Sequence, residues 1–272
     1  MTTIAFIGSG NMAGAIMGGL IEDGYQPDNI IASDPSEEKL AELKQRHGIQ
    51  TTQNNIDAIK RSDVVVLAVK PQVMEQVLEP LKATLEETQP LLISVAAGIN
   101  QYSLQQWAGD LAIVRCMPNT PSLVGKGASG LLANDKVSDQ QKSITEDILG
   151  AVGLSVWVNN EQQLDWVTAV SGSGPAYYFL FMECMIQAAK NMGMDEEQAK
   201  KLTLQTALGA ATMAQKSDVE PDQLRKNVTS PNGTTEQAIL SFQNAGLDKI
   251  VKDAMEAVVK RSEEMVKELG AK

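Results

Sequence analysis

Histidine occurs once in these 272 residues, at His47, and cysteine twice, at Cys116 and Cys184. A single histidine, set between Arg46 and Gly48 in what reads as a solvated helix end, leaves no histidine-based triad to assemble. No cysteine pair stands at ligand spacing, so the sequence offers no zinc site and no other metal is expected. Both cysteines lie inside apolar stretches, which fits reduced thiols in a cytoplasmic protein. Positive charge is also short: 23 Lys and Arg stand against 34 Asp and Glu, a net charge of −11. Nucleic acid and anionic membranes both need a basic face, so neither is expected as a partner. No apolar run reaches membrane-spanning length, and the first residues read as a strand rather than a signal peptide. Internal repeats and low-complexity tails are missing too.

What is present is the composition of a globular protein, 43% hydrophobic and 21% charged, long enough for one large or two ordinary domains. Through residue 160, short β-branched runs alternate with helical patterns, which predicts stacked βαβ units and a mainly parallel sheet. Strands are expected at 3–7, 29–33, 64–69, 91–95, 112–116, 130–132 and 154–158. The run 64–69 has no polar alternation, as expected of a central strand buried on both faces. Segments 37–46 and 71–85 carry helical spacing of Leu and Val, and Ser138-x-x-Gln141 is a capping-box pattern. The fold class is therefore α/β over 1–160, a doubly wound sheet of Rossmann type, followed by an all-α domain over 161–272.

Residues 4–14 join an apolar strand to a glycine-rich turn and a helix start. The pattern G-x-G-x-x-A is a dinucleotide fingerprint: Gly8 permits the turn, Gly10 admits a pyrophosphate, and Ala13 lets helix and strand pack closely. Ser9, Asn11 and Met12 complete the loop, whose helix N–H groups face the phosphates. Ligands of doubly wound sheets bind beyond the carboxyl ends of the strands. The residues at those ends are Asp34-Pro35, Ala68-Val69-Lys70-Pro71, Ala96-Ala97-Gly98 and Met117-Pro118-Asn119-Thr120-Pro121. Each is a plausible turn or helix start by itself; five small or rigid loops on one edge favour a nucleotide crossing it. Asp34 is placed either to accept from an adenosine ribose, favouring NADH, or merely to cap the helix opening near Ser36.

Beyond residue 161 the strand signal ends and helices are expected at 162–192, 195–216, 221–228, 234–245 and 248–269. The first is unusually apolar from Tyr177 to Met185 and the second rich in Ala and Gly, a surplus suited to a second subunit or to an ordinary internal core. Two loops stand out. Ser171-Gly172-Ser173-Gly174 interrupts the long helix with residues that cost stability in a helix interior, which a kink or close packing would justify. Thr229-Ser230-Pro231-Asn232-Gly233-Thr234-Thr235-Glu236 precedes a helix, and is either a cap plus turn or a carboxylate site built from hydroxyls and N–H groups.

Taken in order, the segments 8–12, 68–71, 95–98, 117–121, 171–177 and 229–235 resemble the pyrroline-5-carboxylate reductase family across residues 4 to about 245. The resemblance implies reduction of L-1-pyrroline-5-carboxylate to L-proline by NADPH or NADH. It also implies a Rossmann domain, a helical dimerisation domain, and dimers often assembled into decamers of five dimers. It places Lys70-Pro71, Ala97-Gly98 and Asn55 along the cofactor, and Ser173, Ser230 and Thr235 at the substrate. One departure is visible: Asn232 replaces the first glycine of the usual pair, and Asn is among the few residues that tolerate a left-handed conformation. A protonated cyclic imine is already an electrophile, so no strong enzymic acid is needed. Thr235 is expected near the imine nitrogen, with Ser230 and the N–H groups of Asn232, Gly233, Thr234 and Thr235 on the carboxylate. A β-hydroxyacid dehydrogenase shares the layout but needs a lysine four residues after the Gly-x-Gly, where this chain has Tyr178. A non-catalytic NAD(P)H-binding protein would need the fingerprint but neither serine loop.

Overall fold

The computed structural model describes residues 2–271. They form two compact units, one running to Ser173 and resuming at Ala257, the other Gly174–Glu256. The strands are β1 (Ile4–Ile7), β2 (Ile30–Ser33), β3 (Gln50–Thr52), β4 (Val64–Leu67), β5 (Leu91–Ser94), β6 (Ile113–Met117), β7 (Gly127–Ala133) and β8 (Gly153–Trp157). The first eight α-helices are α1 (Asn11–Glu22), α2 (Glu37–His47), α3 (Asn55–Lys60), α4 (Met74–Leu78), α5 (Lys82–Thr88), α6 (Gln101–Ala108), α7 (Asp139–Gly150) and α8 (Glu161–Val167).

The eight strands make one sheet in the order β3-β2-β1-β4-β5-β6-β7-β8, parallel except for β6 against β7. Strands β1, β2, β4 and β5 are buried at every residue, as continuous apolar runs between two helical layers must be. Ala13, Ile16, Met17 and Leu20 of α1 share one core with Leu40 of α2 and Ile148 of α7. Ile59, Met74, Leu85 and Leu104, from α3 to α6, fill the other. The chain leaves β3 at one edge and re-enters on the far side of β1, so the order switches between β1 and β4. That crevice is where an open α/β sheet takes a ligand.

The sequence reading missed β3, a polar three-residue edge strand whose Gln-Thr-Thr carries no apolar period. The expected strand at 130–132 begins earlier, at Gly127, and is the one that turns antiparallel. The capping box forms at α7, with the Ser138 side chain and Gln141 bonding reciprocally. Cys116 is buried, and burial pushes its thiol up to about 12 against the opposing influences of Ser129 and Arg115. Cys184 is exposed. Buried Arg115 of β6 pairs with Glu161, whose other oxygen accepts from the Gln101 N–H at 2.7 Å. This joins the starts of α6 and α8 to the sheet.

The helix expected over 162–192 is broken in two. A π-helical turn, Thr168–Gly172, follows α8, and the Ser173 N–H donates to Thr168 O at 2.8 Å, an i→i+5 bond. At Gly172 a Cβ would stand 2.6 Å from the Met117 methyl, the flexible end of that side chain, which would have to move aside. The helices then continue as α9 (Gly174–Asn191), α10 (Glu196–Lys216), α11 (Pro221–Asn227), α12 (Thr234–Asn244) and α13 (Leu247–Leu269). Asp195 caps α10 as its sequence suggested, accepting from the Glu197 and Gln198 N–H groups.

Residues 161–173 lie with the sheet, and so does the far end of α13, where Ser262 donates to Asp165 at 2.6 Å and the Ala271 N–H to Ser103 at 2.8 Å. Met265 and Leu269 cover Gly98, where a Cβ would stand 3.0 Å from Met265 Cβ. Within Gly174–Glu256 the buried residues are only Gly174, Ala199 and Thr203, while Tyr178, Phe179, Leu202 and Leu208 lie more than half exposed. No helix among the described residues is long and apolar enough to cross a membrane.

Candidate active site

Strand register brings the expected cofactor loops together. Ile7 of β1 pairs with Ser33 of β2 and Leu67 of β4, and Leu67 pairs with Ser94 of β5. The strand ends are therefore level, and the loops beginning at Gly8, Asp34, Ala68 and Val95 emerge side by side. Gly8 has φ +97°, and a Cβ there would lie 2.8 Å from Ala68 O and 2.9 Å from Val69 Cγ1. Only glycine satisfies both the left-handed backbone and the close approach across the switch point. At Gly10, by contrast, a Cβ would meet no protein atom within 4 Å. That open space, with an α1 N-terminus that no side chain caps, fits a pyrophosphate. Ala13 is fully buried beneath it.

Asp34 is 8% exposed and its carboxylate is engaged at both oxygens. Oδ2 accepts from the Ser9 N–H at 3.0 Å and from the Ser9 hydroxyl at 2.7 Å, while Oδ1 accepts from the Ser36 N–H at 2.9 Å. Ser36, not Asp34, caps α2, accepting from the Lys39 N–H. Asp34 therefore fastens the fingerprint loop to the end of β2. Burial opposes its ionisation, but the Ser36 N–H, the Ser9 hydroxyl and N–H, and Lys39 outweigh it and hold the pKa below the usual carboxylate range. A folded-state pKa below 3.8 means that these contacts add stability above that pH and lose it as pH falls through the lower value. Asp34→Asn is thus expected to flatten the acid limb. Between pH 5 and pH 2.5 the melting midpoint of the variant should fall less than that of the wild type.

Asn55 opens α3 and its Oδ1 accepts from the Ser33 hydroxyl at 2.6 Å, which seats it beside Asp34. Lys70 is exposed at the start of the 3-10 turn Pro71–Val73, whereas Ala96 and Gly98 are buried in the next loop. Asn119 is 7% exposed, and both ends of its amide are already bonded within the protein. Thr120 beside it is exposed.

The loop 229–236 lies in the helical unit. Asn232 adopts φ +60°, the left-handed turn that asparagine tolerates, so the turn forms without the usual glycine. Its N–H is not free: it donates to Glu236 Oε2 at 2.8 Å, and the Gly233 N–H donates to Ser230 O at 3.0 Å. Thr234 and Thr235 then open α12 with no side-chain cap. Of the four N–H groups expected on a carboxylate, two are spent inside the turn and two remain at the helix start. The sequence reading missed Glu236 as a turn clamp; its place three residues after the Gly233 cap was the available signal. Tyr177, in the serine-glycine motif, keeps a buried hydroxyl with no partner among the described residues.

Comparison with known proteins agrees with this layout. Residues 161–265 match the family model described as pyrroline-5-carboxylate reductase dimerisation, and residues 3–98 one described as NADP oxidoreductase, coenzyme F420-dependent. The first match is to a dimerisation domain, which supports a homo-oligomer. The chain is 50% identical to a pyrroline-5-carboxylate reductase from Pseudomonas aeruginosa over 98% of both chains. It is 48% identical to one from Vibrio alginolyticus over 97% of both. Among solved structures it superposes on a pyrroline-5-carboxylate reductase from Coxiella burnetii with TM-score 0.94 and 47% identity, covering 97% of this chain and 98% of that one. An NADP-bound pyrroline carboxylate reductase from Plasmodium falciparum gives TM-score 0.85 at 32% identity, with the same coverage. By full-length identity, fold and the order of its site loops, the chain belongs to the pyrroline-5-carboxylate reductase family.

Proposed function

We propose that residues 1–160 hold NAD(P)H along the carboxyl edge of the sheet, and that residues 161–272 hold the imine, for one reaction. The enzyme reduces L-1-pyrroline-5-carboxylate to L-proline, the last step of proline biosynthesis. Bound NAD(P)H supplies the hydride. Gly8, Ser9, Gly10, Asn11, Met12 and Ala13 cradle the pyrophosphate, and Asp34 and Asn55 line the adenosine side. Ala68, Val69, Lys70, Pro71, Ala96, Ala97 and Gly98 line the nicotinamide side, which Thr120 and the main chain of Asn119 extend, the Asn119 amide being bonded within the protein.

Thr235 hydrogen-bonds near the imine nitrogen. Ser230, Ser173 and the turn Asn232-Gly233-Thr234 seat the ring and its carboxylate, the N–H groups of Thr234 and Thr235 doing the anion binding. The observation that carries this reading is the character of that turn. It offers hydroxyls and a helix N-terminus without lysine or histidine, which suits a substrate that arrives protonated and needs only orientation and fixed dipoles. Tyr178 speaks against alcohol oxidation for the same reason: it stands where a β-hydroxyacid dehydrogenase would hold its proton acceptor.

The working assembly is a homodimer built through the helical unit, extended to a decamer of five dimers, in the cytoplasm. An unpartnered Gly174–Glu256 with so few buried residues supports the dimer. The test is nicotinamide oxidation with pyrroline-5-carboxylate, using NADPH and NADH separately; no turnover with either cofactor would overturn the reading. The same assay on Asp34→Asn should raise the NADPH-to-NADH ratio of kcat/KM about tenfold, since an anionic carboxylate attracts a ribose hydroxyl and repels a 2′-phosphate.

A further inference from the structure

We propose that Asn119 is a positioning residue for the imine substrate: its side chain locks the π-helical turn that presents Ser173. The inference rests on the reaction proposed above and gives the Asn119 side chain a different task from lining the cofactor.

One backbone hydrogen is missing from this stretch of helix. In a regular helix the Ser171 carbonyl would accept from the N–H four residues on, but that residue is Pro175, which has none. Ser171 is half-buried, so leaving that carbonyl without a partner would cost stability and a donor from the protein stabilises it. Asn119 supplies it, its Nδ2 donating to Ser171 O at 3.0 Å. The other end of the same amide is held in place, because the Ala128 N–H at the start of β7 donates to Asn119 Oδ1 at 2.9 Å. The side chain is therefore fixed at both ends and almost wholly buried. A π turn inserts one extra residue and persists only where its surroundings determine it. Here the determinant is Asn119, bonded at both ends, while the Met117 methyl lies where a Cβ on Gly172 would point. Met117 ends β6 and Asn119 lies in the loop that follows, so the end of the sheet sets the height of Ser173. An asparagine read from sequence as one more cofactor-lining residue thus has a side chain spent on the substrate side.

The test uses the full-length enzyme and Asn119→Asp, which keeps the acceptor for Ala128 but opposes the Ser171 carbonyl with a carboxylate. The KM for pyrroline-5-carboxylate should rise tenfold or more while the Kd of the reduced cofactor, read by its fluorescence, stays within twofold. Ser173→Ala should raise the same KM, and the double variant should be no worse than the poorer single one, because both act through one contact. Asn119→Ser, too short to bridge both partners, gives the same pattern in a smaller side chain if the charged variant does not fold. Three results would overturn the proposal: a raised cofactor Kd with unchanged substrate KM, a lowered melting midpoint with both constants intact, or full additivity with Ser173→Ala. Amide exchange at Ser173 should also accelerate in Asn119→Asp, and this readout needs no turnover. Failure of the wild type to reduce the imine counts against the reaction, whereas unchanged Ser173 exchange counts against the lock.

Discussion

Thr235→Ala is expected to lower kcat/KM for pyrroline-5-carboxylate by about 10- to 100-fold, the equivalent of roughly 1.5–3 kcal/mol for a hydrogen bond to a charged partner. Thr235 is the second residue of α12, and the substitution leaves the helix N-terminus and its N–H groups in place. Alanine also favours the helix, so the loss cannot come from unfolding the turn. Carboxylate binding should largely survive, and most of the deficit should fall on kcat. Thr235→Ser, which keeps the hydroxyl, should stay within a few-fold of wild type. Equal efficiency in wild type and alanine variant would remove Thr235 from the chemistry and leave orientation to the backbone alone.

The second large effect concerns assembly. A paired substitution, Phe179→Asp with Leu208→Asp, is expected to yield monomers in sedimentation, a lower melting midpoint and no measurable turnover. These side chains are 62% and 61% exposed on α9 and α10, and Tyr178 and Leu202 on the same two helices are also more than half exposed, apolar area that an isolated chain leaves to water. The unit they belong to buries almost nothing by itself, so its stability must come from a second copy. Two carboxylates buried without partners at such a surface would cost more than the apolar area gains. A dimer of full activity carrying both aspartates would show that the subunits meet elsewhere.

Much of the sheet was legible because its strands obey the strongest local rule. Runs such as Val64-Val65-Val66-Leu67 have no polar alternation and can only be buried on both faces. The edge strand Gln50–Thr52 was not legible, since its pairing with β2 comes from the neighbour rather than from any period of its own. Cap residues announced themselves at Ser138 and Asp195. At Asp34 the local pattern left ribose contact and helix cap equally open. In the fold Ser36 caps α2 instead, and Ser9 lies against the Asp34 carboxylate, a proximity that depends on β1 and β2 lying side by side.

The sequence alone determined the fold class and a dinucleotide cofactor, and the reaction family came from the resemblance of its ordered segments to a known family. Glycines and a strand-turn-helix start are local statements, and Tyr178 gains its meaning only beside the lysine that a β-hydroxyacid dehydrogenase carries there. The tertiary structure alone decided which groups remain free to act. It spends the Asn232 N–H on Glu236, bonds both ends of the Asn119 amide, and breaks the long helix with a π turn at Thr168–Gly172. A hydrogen bond between residues dozens of positions apart leaves no period in the chain. It follows from how strand ends align, and so had to be seen rather than read.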